Sequence, residues 1–269
     1  MNRKPILSIC VPTFNRLRYL RDLLPALVSI RDPRIEIVVS NNASTDGTTD
    51  RLNFTAANNL RVYHNVKNIG GERNFMRCVE LADGAYVWVL GDDELVNATG
   101  ILRMVDALEE HKPAYIILRD NVREIHAADR KFDNYAECLK DQVSYTVDFP
   151  LRHTLISANV FRKDVFNAQV AADKVWTNYS LMFGIMDGVR AGGSVLVMSG
   201  VFSTRKVRAQ FDKWPFALCC KQAIYLRYIA KTFNFPALNK IAFRLFCNLP
   251  IEMASVAMHT VMPKRFGRT

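Results

Sequence analysis

The chain has 269 residues, of which 49% are hydrophobic and 23% are charged, so it can bury a sizeable core and is not intrinsically disordered. Its formal net charge is +10, and the whole excess lies in residues 205–269, which hold 12 Lys or Arg and 2 Asp or Glu. The six cysteines lack CxxC spacing and no apolar run reaches the about 18 residues of a spanning helix, which excludes a disulfide framework, a zinc ribbon and a transmembrane protein.

Strand-like and helix-like segments alternate along the first 110 residues. Short runs rich in apolar and β-branched residues predict strands, and apolar residues at helical spacing predict helices between them. The predicted strands are residues 7–11, 35–39, 60–64 and 86–90, and the predicted helices lie near 17–28, 75–81 and 102–108. This alternation predicts a parallel, doubly wound α/β sheet whose polar loops meet at one edge.

Three consecutive carboxylates, Asp92, Asp93 and Glu94, follow the fourth predicted strand. Burying an unpaired carboxylate costs free energy, so either the strand reaches the surface there or a cation binds. Ligands of open α/β sheets bind at the carboxyl ends of strands, and Mg²⁺ is typically held by one or two carboxylates plus phosphates. The alternative is that Asp92 or Asp93 caps the next helix.

Four segments resemble, in order and spacing, the nucleotide-sugar half of the family-2 glycosyltransferases, which are inverting enzymes with the GT-A fold. The resemblance covers residues 5 to about 110. Its segments are residues 7–15, with Pro12-Thr13-Phe14-Asn15; 38–48, with Asn41-Asn42; 68–74, with Gly70-Gly71; and the sequence Gly91-Asp92-Asp93. The resemblance implies an α/β fold of the GT-A type, with a doubly wound, mixed but mostly parallel sheet.

The resemblance also implies roles for the three acids. Asp93 would bind a divalent metal, Mg²⁺ or Mn²⁺, and Asp92 would face the ribose or the metal. A bound cation neutralises a departing diphosphate, which is the chemistry that sugar transfer needs. We expect Glu94 to cap the following helix.

A second set of residues is expected to bind the nucleotide sugar. Asn41 and Asn42 stand where many relatives have Asp, and since an amide both donates and accepts hydrogen bonds, the identity of the base stays open. Arg73 either approaches the diphosphate or forms a surface salt bridge. Besides Asp92, the expected nucleotide-sugar-binding residues are Pro12, Thr13, Phe14, Asn15, Asn42 and Arg73.

The middle of the chain is expected to form the acceptor half. We divide a catalytic domain over 1–206 into a nucleotide-sugar half, 1–110, and an acceptor half, 111–206, with strands at 114–118, 155–163 and 194–198 and a charged, irregular stretch from 119 to 148. Relatives open the helix predicted at 180–190 with an acidic pair that includes the general base, and this chain has no acid there. Asp173 is the preferred candidate for the proton acceptor, with Asp187 and His153 as alternatives.

Residues 207–269 are expected to form a basic amphipathic helical extension. Residues 216–231 and 237–249 have helical patterns with basic edges, and their apolar faces include Tyr225. Such helices bind anionic membrane surfaces. The alternative is that they pack against the catalytic domain or a partner in a homodimer.

The leading hypothesis is a metal-dependent inverting glycosyltransferase that moves a sugar from a nucleoside-diphosphate sugar to a lipid-linked or polysaccharide acceptor. Because no signal peptide opens the chain, we expect a cytoplasmic protein, peripheral on the inner face of the membrane. The alternatives are a catalytically degenerate GT-A-like binding module and a sugar-phosphate nucleotidyltransferase. Nucleic acid is not an expected partner, since the basic residues lie in apolar helices rather than in a solvated groove with stacking aromatics.

Overall fold

A computed structural model describes residues 4–119, 128–145, 155–205 and 216–234, without the side chains of 142–145, 205 and 216–223. The strands are β1 (Leu7–Thr13), β2 (Ile35–Asn41), β3 (Leu60–His64), β4 (Tyr86–Val89), β5 (Glu94–Val96), β6 (Tyr115–Arg119), β7 (Arg130–Phe132), β8 (Asn159–Arg162), β9 (Val195–Ser199) and β10 (Ser203–Arg205). The helices are α1 (Leu17–Val28), α2 (Thr48–Asn53), α3 (Gly71–Leu81), α4 (Ala98–His111), α5 (Tyr135–Tyr145), α6 (Ala168–Asp173), α7 (Ser180–Arg190) and α8 (Phe216–Thr232).

Eight strands form one mixed sheet in the order β3-β2-β1-β4-β8-β6-β9-β7. The first four strands are mutually parallel, and β6 and β9 are parallel to each other, whereas β8 and β7 run antiparallel to their neighbours. β5 and β10 form a separate antiparallel pair. The sheet is therefore mixed and mostly parallel, as the sequence predicts.

Helices cover both faces of this sheet. One buried cluster joins one face to α3, α5, α7 and α8, and a second joins the other face to α1 and α4. Alternate residues of β1 divide between the clusters: Leu7, Ile9 and Val11 face one and Cys10 faces the other. A strand covered on both faces is mostly apolar, which is why the sequence shows nearly continuous apolar runs there, and the polar exceptions Ser8 and Glu36 are hydrogen-bonded to each other.

Two expectations about local structure are wrong. The stretch from 119 to 148 is not irregular throughout, because it contains β7, which pairs with β9, and α5. Glu94 does not cap the following helix: it lies in β5, is 2% exposed and accepts a hydrogen bond from the Ser203 hydroxyl. The cap of α4 is Asn97, whose side-chain oxygen accepts the Gly100 N–H at 2.8 Å.

The helix α8 packs on the same core as the sheet. Tyr225 is 1% exposed, and its ring stacks on Tyr179 at 5.8 Å between centroids and meets Phe183 edge-on at 5.4 Å. Tyr225 therefore does not face a membrane, contrary to expectation, because the aromatic cluster buries it. The exposed face of α8 carries Arg227 and Lys231. The second helix predicted at 237–249 lies outside the described residues, and in the described ranges no helix is both long and apolar enough to cross a bilayer.

Candidate active site

The carboxyl ends of β3, β2, β1 and β4 lie side by side, because these four parallel strands are neighbours in the sheet. Adjacent strands are about 4.8 Å apart, so the four ends form a row roughly 14 Å long. We call the four loops that leave these ends the rim. The rim contains polar residues expected from the sequence to bind a ligand.

The pairing of β1 with β4 brings Thr13 to the acids. The two strands pair as far as Cys10 and Val89, and the register extended by three residues places Thr13 beside Asp92. The Thr13 hydroxyl donates a hydrogen bond of 2.8 Å to Asp92 Oδ2. Thr13 is 2% exposed, so the buried end of β1 fixes one oxygen of this carboxylate.

The acids cluster tightly after β4. A Cβ atom placed on Gly91 would lie 3.0 Å from Glu94 Oε1 and 3.1 Å from Asp93 Oδ1, closer than side-chain atoms normally approach. Glycine at this position therefore lets the carboxylates of Asp93 and Glu94 fold back over the backbone.

Burial raises the pKa of Asp92 to about 6. The Thr13 hydroxyl and the positive charge of Arg16 oppose that rise, whereas the negative charge of Asp93 adds to it. Burial disfavours the ionised form of a carboxyl group, and a cation bound beside the group stabilises that form. Burial of the Asp92 carboxylate therefore favours a positive ligand beside it.

The residues present fit a hard divalent cation. Asp92 and Asp93 offer carboxylate oxygens, which Mg²⁺ and Mn²⁺ prefer. Within the described ranges no group of three or more His, Cys, Asp or Glu is arranged to hold a metal ion. A cation at Asp92 and Asp93 would therefore take its other ligands from water or from a phosphate group.

The first two loops of the rim are bonded to each other. Asn15 has a left-handed backbone, with φ of 53°, and its side-chain oxygen accepts the Thr45 N–H at 2.8 Å while its own N–H donates to Ser44 Oγ at 2.9 Å. Asp46 accepts the N–H groups of Leu17 and Thr48, at 3.0 and 3.1 Å, and so holds the first turns of α1 and α2. These contacts make the two loops one unit.

Other expected donor-site residues lie on or beside the rim. Pro12 is buried in β1, whereas the Phe14 ring is 40% exposed just beyond the strand. Asn42 is 2% exposed, and its side chain is bonded to the loop after β3. Arg73 is exposed in the first turn of α3, and no ion pair or hydrogen bond joins its side chain to another described residue.

The candidate bases lie in the acceptor half. Asp173, exposed at the end of α6, accepts a hydrogen bond of 3.1 Å from Gln169 on the same helix. Asp187, inside α7, accepts a bond of 2.8 Å from Asn167 Nδ2 and lies 3.5 Å from Arg190. His153 lies outside the described residues.

Two features were missed in the sequence. The positive charge of Arg16 lowers the pKa of Asp92, and only the folded structure shows that the two residues are near each other. Glu72, in α3, accepts hydrogen bonds from the N–H of Ser180, at 2.9 Å, and from its hydroxyl. The start of α7, where the sequence has no acid, therefore receives a carboxylate from a residue 108 positions earlier.

The model of the family described as glycosyl transferase family 2 matches residues 8–167, more than half of the chain. The chain is 34% identical over 116 residues to the abequosyltransferase RfbV of Salmonella typhimurium, a match that covers 41% of this chain and 35% of that relative. It is 25% identical over 116 residues to the putative teichuronic acid biosynthesis glycosyltransferase TuaG of Bacillus subtilis, covering 42% and 46%. The matched stretch spans less than half the length of either relative.

Solved structures share the fold. Residues 1–349 of S. aureus TarS, in complex with UDP-GlcNAc, align over 94% of this chain and 78% of that one, with a TM-score of 0.63 and 15% identity. The mannosyltransferase PcManGT from Pyrobaculum calidifontis, in complex with GDP-Man and Mn²⁺, aligns over 96% and 80%, with a TM-score of 0.52 and 14% identity. With the sheet described above, these matches confirm the expected fold of the GT-A type.

Replacing Thr13 with Val should raise the pKa of Asp92 above its value of about 6, by roughly one unit, because the hydroxyl that stabilises the anion is lost. The check is an NMR titration of the Asp92 carboxyl carbon in the metal-free protein, with Asp92→Asn identifying the resonance. Thr13→Ser keeps a hydroxyl and should titrate like the unmodified chain. Equal titration midpoints in the unmodified chain, Thr13→Val and Thr13→Ser would show that the Thr13 hydrogen bond does not lower the pKa of Asp92.

Proposed function

The chain belongs to glycosyl transferase family 2, and on that basis we propose that it is a metal-dependent inverting glycosyltransferase of surface-glycan synthesis. Its donor is a nucleoside-diphosphate sugar, and its acceptor is a lipid-linked or polysaccharide glycan. The observation that carries the proposal is the Thr13–Asp92 pair with Asp93 beside it, at the carboxyl ends of parallel strands. The names of the relatives, an abequosyltransferase and a teichuronic acid glycosyltransferase, support a surface glycan as the product.

In this proposal the donor lies along the rim. The diphosphate is near Asp92 and Asp93, and the nucleoside extends towards the ends of β2 and β3. The exposed Phe14 ring offers a face for the base, because aromatic rings stack on any nucleobase. Arg73, exposed and without an ion pair among the described residues, has the charge to approach the diphosphate.

Asp93 would hold the divalent cation, and Asp92 would face the cation or the ribose. When bound, the cation neutralises the negative charge of the leaving diphosphate. Thr13 keeps the Asp92 carboxylate turned to one side, and Arg16 favours its charged form. The chain thereby holds a carboxylate pair ready for a positive ligand.

The transfer itself needs a proton acceptor. The acceptor hydroxyl oxygen forms a bond to the anomeric carbon of the sugar, the bond from that carbon to the diphosphate breaks on the opposite face, and the hydroxyl proton passes to a carboxylate. We propose Asp173 for that carboxylate, because it is exposed and hydrogen-bonded only along its own helix in the described contacts. Asp187 is less suited, since Asn167 and Arg190 already engage its oxygens.

Asp93→Asn should weaken metal-dependent binding of a nucleoside diphosphate by about ten- to a hundredfold, because a charged ligand of the cation is lost. Calorimetry with UDP or CDP in the presence of Mn²⁺ measures this. The matched control is Asp106→Asn, which removes a carboxylate whose side chain is 65% exposed in a surface ion pair with Arg34. Unchanged metal-dependent affinity in the Asp93 variant would exclude Asp93 from the site.

Asp173→Asn should lower turnover by about 10²-fold or more while leaving donor affinity intact, because a base acts mainly in the transition state. Asp164→Asn, which changes an exposed acid of the same half paired with Arg162, is the control. Full turnover in the Asp173 variant would exclude Asp173 as the base and direct attention to Glu72, the α3 residue whose carboxylate accepts hydrogen bonds from Ser180 at the start of α7. No turnover in any protein with any donor would favour the catalytically degenerate binding module.

The positive charge of residues 205–269 supports peripheral attachment to the inner, anionic face of a membrane. Arg227→Gln with Lys231→Gln should reduce co-sedimentation with anionic vesicles at low salt, because both residues lie on the exposed face of α8. The control is the double variant Arg31→Gln with Lys112→Gln, which removes two exposed positive charges from residues 1–204, the part of the chain without net charge. Equal sedimentation of the two double variants would contradict a role for α8 in membrane binding.

A further inference from the structure

The strand β3 forms one outer edge of the eight-stranded sheet, with β2 as its neighbour. The carbonyl of Asn59 and the N–H of Asn65 are both bonded to β2, at 2.7 and 2.9 Å. Because backbone groups of a strand point alternately to its two sides, the odd-numbered residues between them face β2, and Leu60, Val62 and His64 face outward. The N–H and C=O groups of Val62 and His64 have no hydrogen bond to another residue in the described part of the chain.

The two edges of the sheet differ in how they are protected. The opposite edge strand, β7, has three residues, of which two are Arg130 and Lys131, and charged side chains on a short edge strand oppose pairing with another strand. The strand β3 has five residues and a single Lys or Arg, Arg61. The charge of Arg61 is compensated by ion pairs with Glu36, at 2.8 Å, and Asp83, at 2.5 Å. The edge at β3 can therefore accept another strand.

Exposed apolar side chains lie on both sides of β3 in the sequence. Phe54 is 87% exposed and Val66 is fully exposed, which makes them the most exposed large apolar side chains among the described residues. Phe54 comes six residues before β3, and Val66 comes two residues after it. An unpaired strand edge with exposed apolar residues at both ends fits a protein partner.

We propose that β3 pairs antiparallel with β3 of a second copy of this chain, about a two-fold axis at Val62. In this register Val62 and the partner's Val62 each donate an N–H to the carbonyl of the other, and the N–H of His64 donates to the carbonyl of the partner's Leu60. Each of these groups already faces outward, so the pairing joins the two sheets without a change in β3. The two-fold axis also brings the end of one β3, with Val66, beside the start of the other, on the side of Phe54.

The side chains of β3 complement themselves in this register. Arg61 lies opposite the partner's Tyr63, in the closer kind of antiparallel pair, with about 4.5 Å between Cα atoms. Within one copy the Arg61 guanidinium lies over the Tyr63 ring, 5.4 Å from its centroid. Pairing therefore places the cations and aromatic rings of the two copies in alternation, and Arg61 does not face the partner's Arg61. This complementarity identifies a second copy, rather than an unrelated strand, as the partner.

The proposed pairing has a consequence for α8. A two-fold axis perpendicular to the sheet keeps corresponding faces of the two copies on the same side. Both α8 helices pack on that face of the sheet and expose Arg227 and Lys231. One pair of copies thus offers two basic helices to the same membrane surface, which strengthens binding by raising the effective concentration of the second helix. This consequence rests on the membrane attachment proposed above, whereas the pairing of β3 does not.

Sedimentation velocity of the full chain over about 1–100 µM, without vesicles, should show a monomer that becomes a dimer as the concentration rises. Val62→Pro removes the central N–H, which faces away from β2, and should keep the chain monomeric over that range while its circular dichroism stays unchanged. Val62→Thr keeps the N–H and a branched side chain, and should dimerise like the unmodified chain. An unmodified chain that is monomeric at every concentration, or equal dimerisation of the Pro variant, would overturn the proposal.

Cysteine cross-linking tests the register without relying on a variant that weakens pairing. The Cα atoms of Val62 and the partner's Val62 would be about 5.5 Å apart, which a disulfide can span, whereas those of Leu60 and the partner's Leu60 would be about 14 Å apart. Val62→Cys should therefore form a disulfide-linked dimer on mild oxidation, above the background of the six native cysteines, and Leu60→Cys should not. Equal cross-linking of the two variants, or none by Val62→Cys, would contradict antiparallel pairing about Val62.

Discussion

The hydrogen bond between Thr13 and Asp92 depends on one constraint, the parallel register of β1 and β4. These strands pair only as far as Cys10 and Val89, and β1 then continues for three residues beside the acids. A shift of one residue would turn Thr13 to the other face and leave Asp92 without its donor. The apolar residues on both faces of β1 oppose such a shift, because a slip of one residue would exchange side chains between the two cores. Core packing therefore determines the geometry of the carboxylates.

Periodicity in the sequence predicts the elements that are apolar along their length. The bounds of β3 and α7 agree with prediction, and the loops after four strands do converge. The strand β7 was missed because two of its three residues are Arg130 and Lys131, and only backbone pairing with β9 makes it a strand. Glu94 was misassigned because the antiparallel partner that makes β5 a strand, β10, lies more than a hundred residues away.

The sequence predicts which residue types lie in the candidate site, but not their pKa values or the orientation of their side chains. A run of acids after a buried strand indicates a cation, and the family resemblance identifies the loops around it. The pKa of Asp92, by contrast, depends on burial and on Arg16, which the sequence does not place near it. Likewise the sequence shows that Asn42 and Asn68 are amides, whereas the backbone N–H groups of Ile69 and Gly70, which donate to their side-chain oxygens, fix the orientation of each amide.

The central claim is that Asp92 and Asp93 form half of a cation site that a nucleoside diphosphate completes. The most direct test is to titrate Mn²⁺ into the protein, once alone and once with a nucleoside diphosphate present. The electron paramagnetic resonance signal of free Mn²⁺ measures how much of the ion is bound in each titration. Since no group of three or more candidate ligands occurs in the described chain, Mn²⁺ alone should bind weakly and should bind much more tightly once the nucleotide is present. Mn²⁺ affinity that is the same with and without every nucleoside diphosphate would contradict the account.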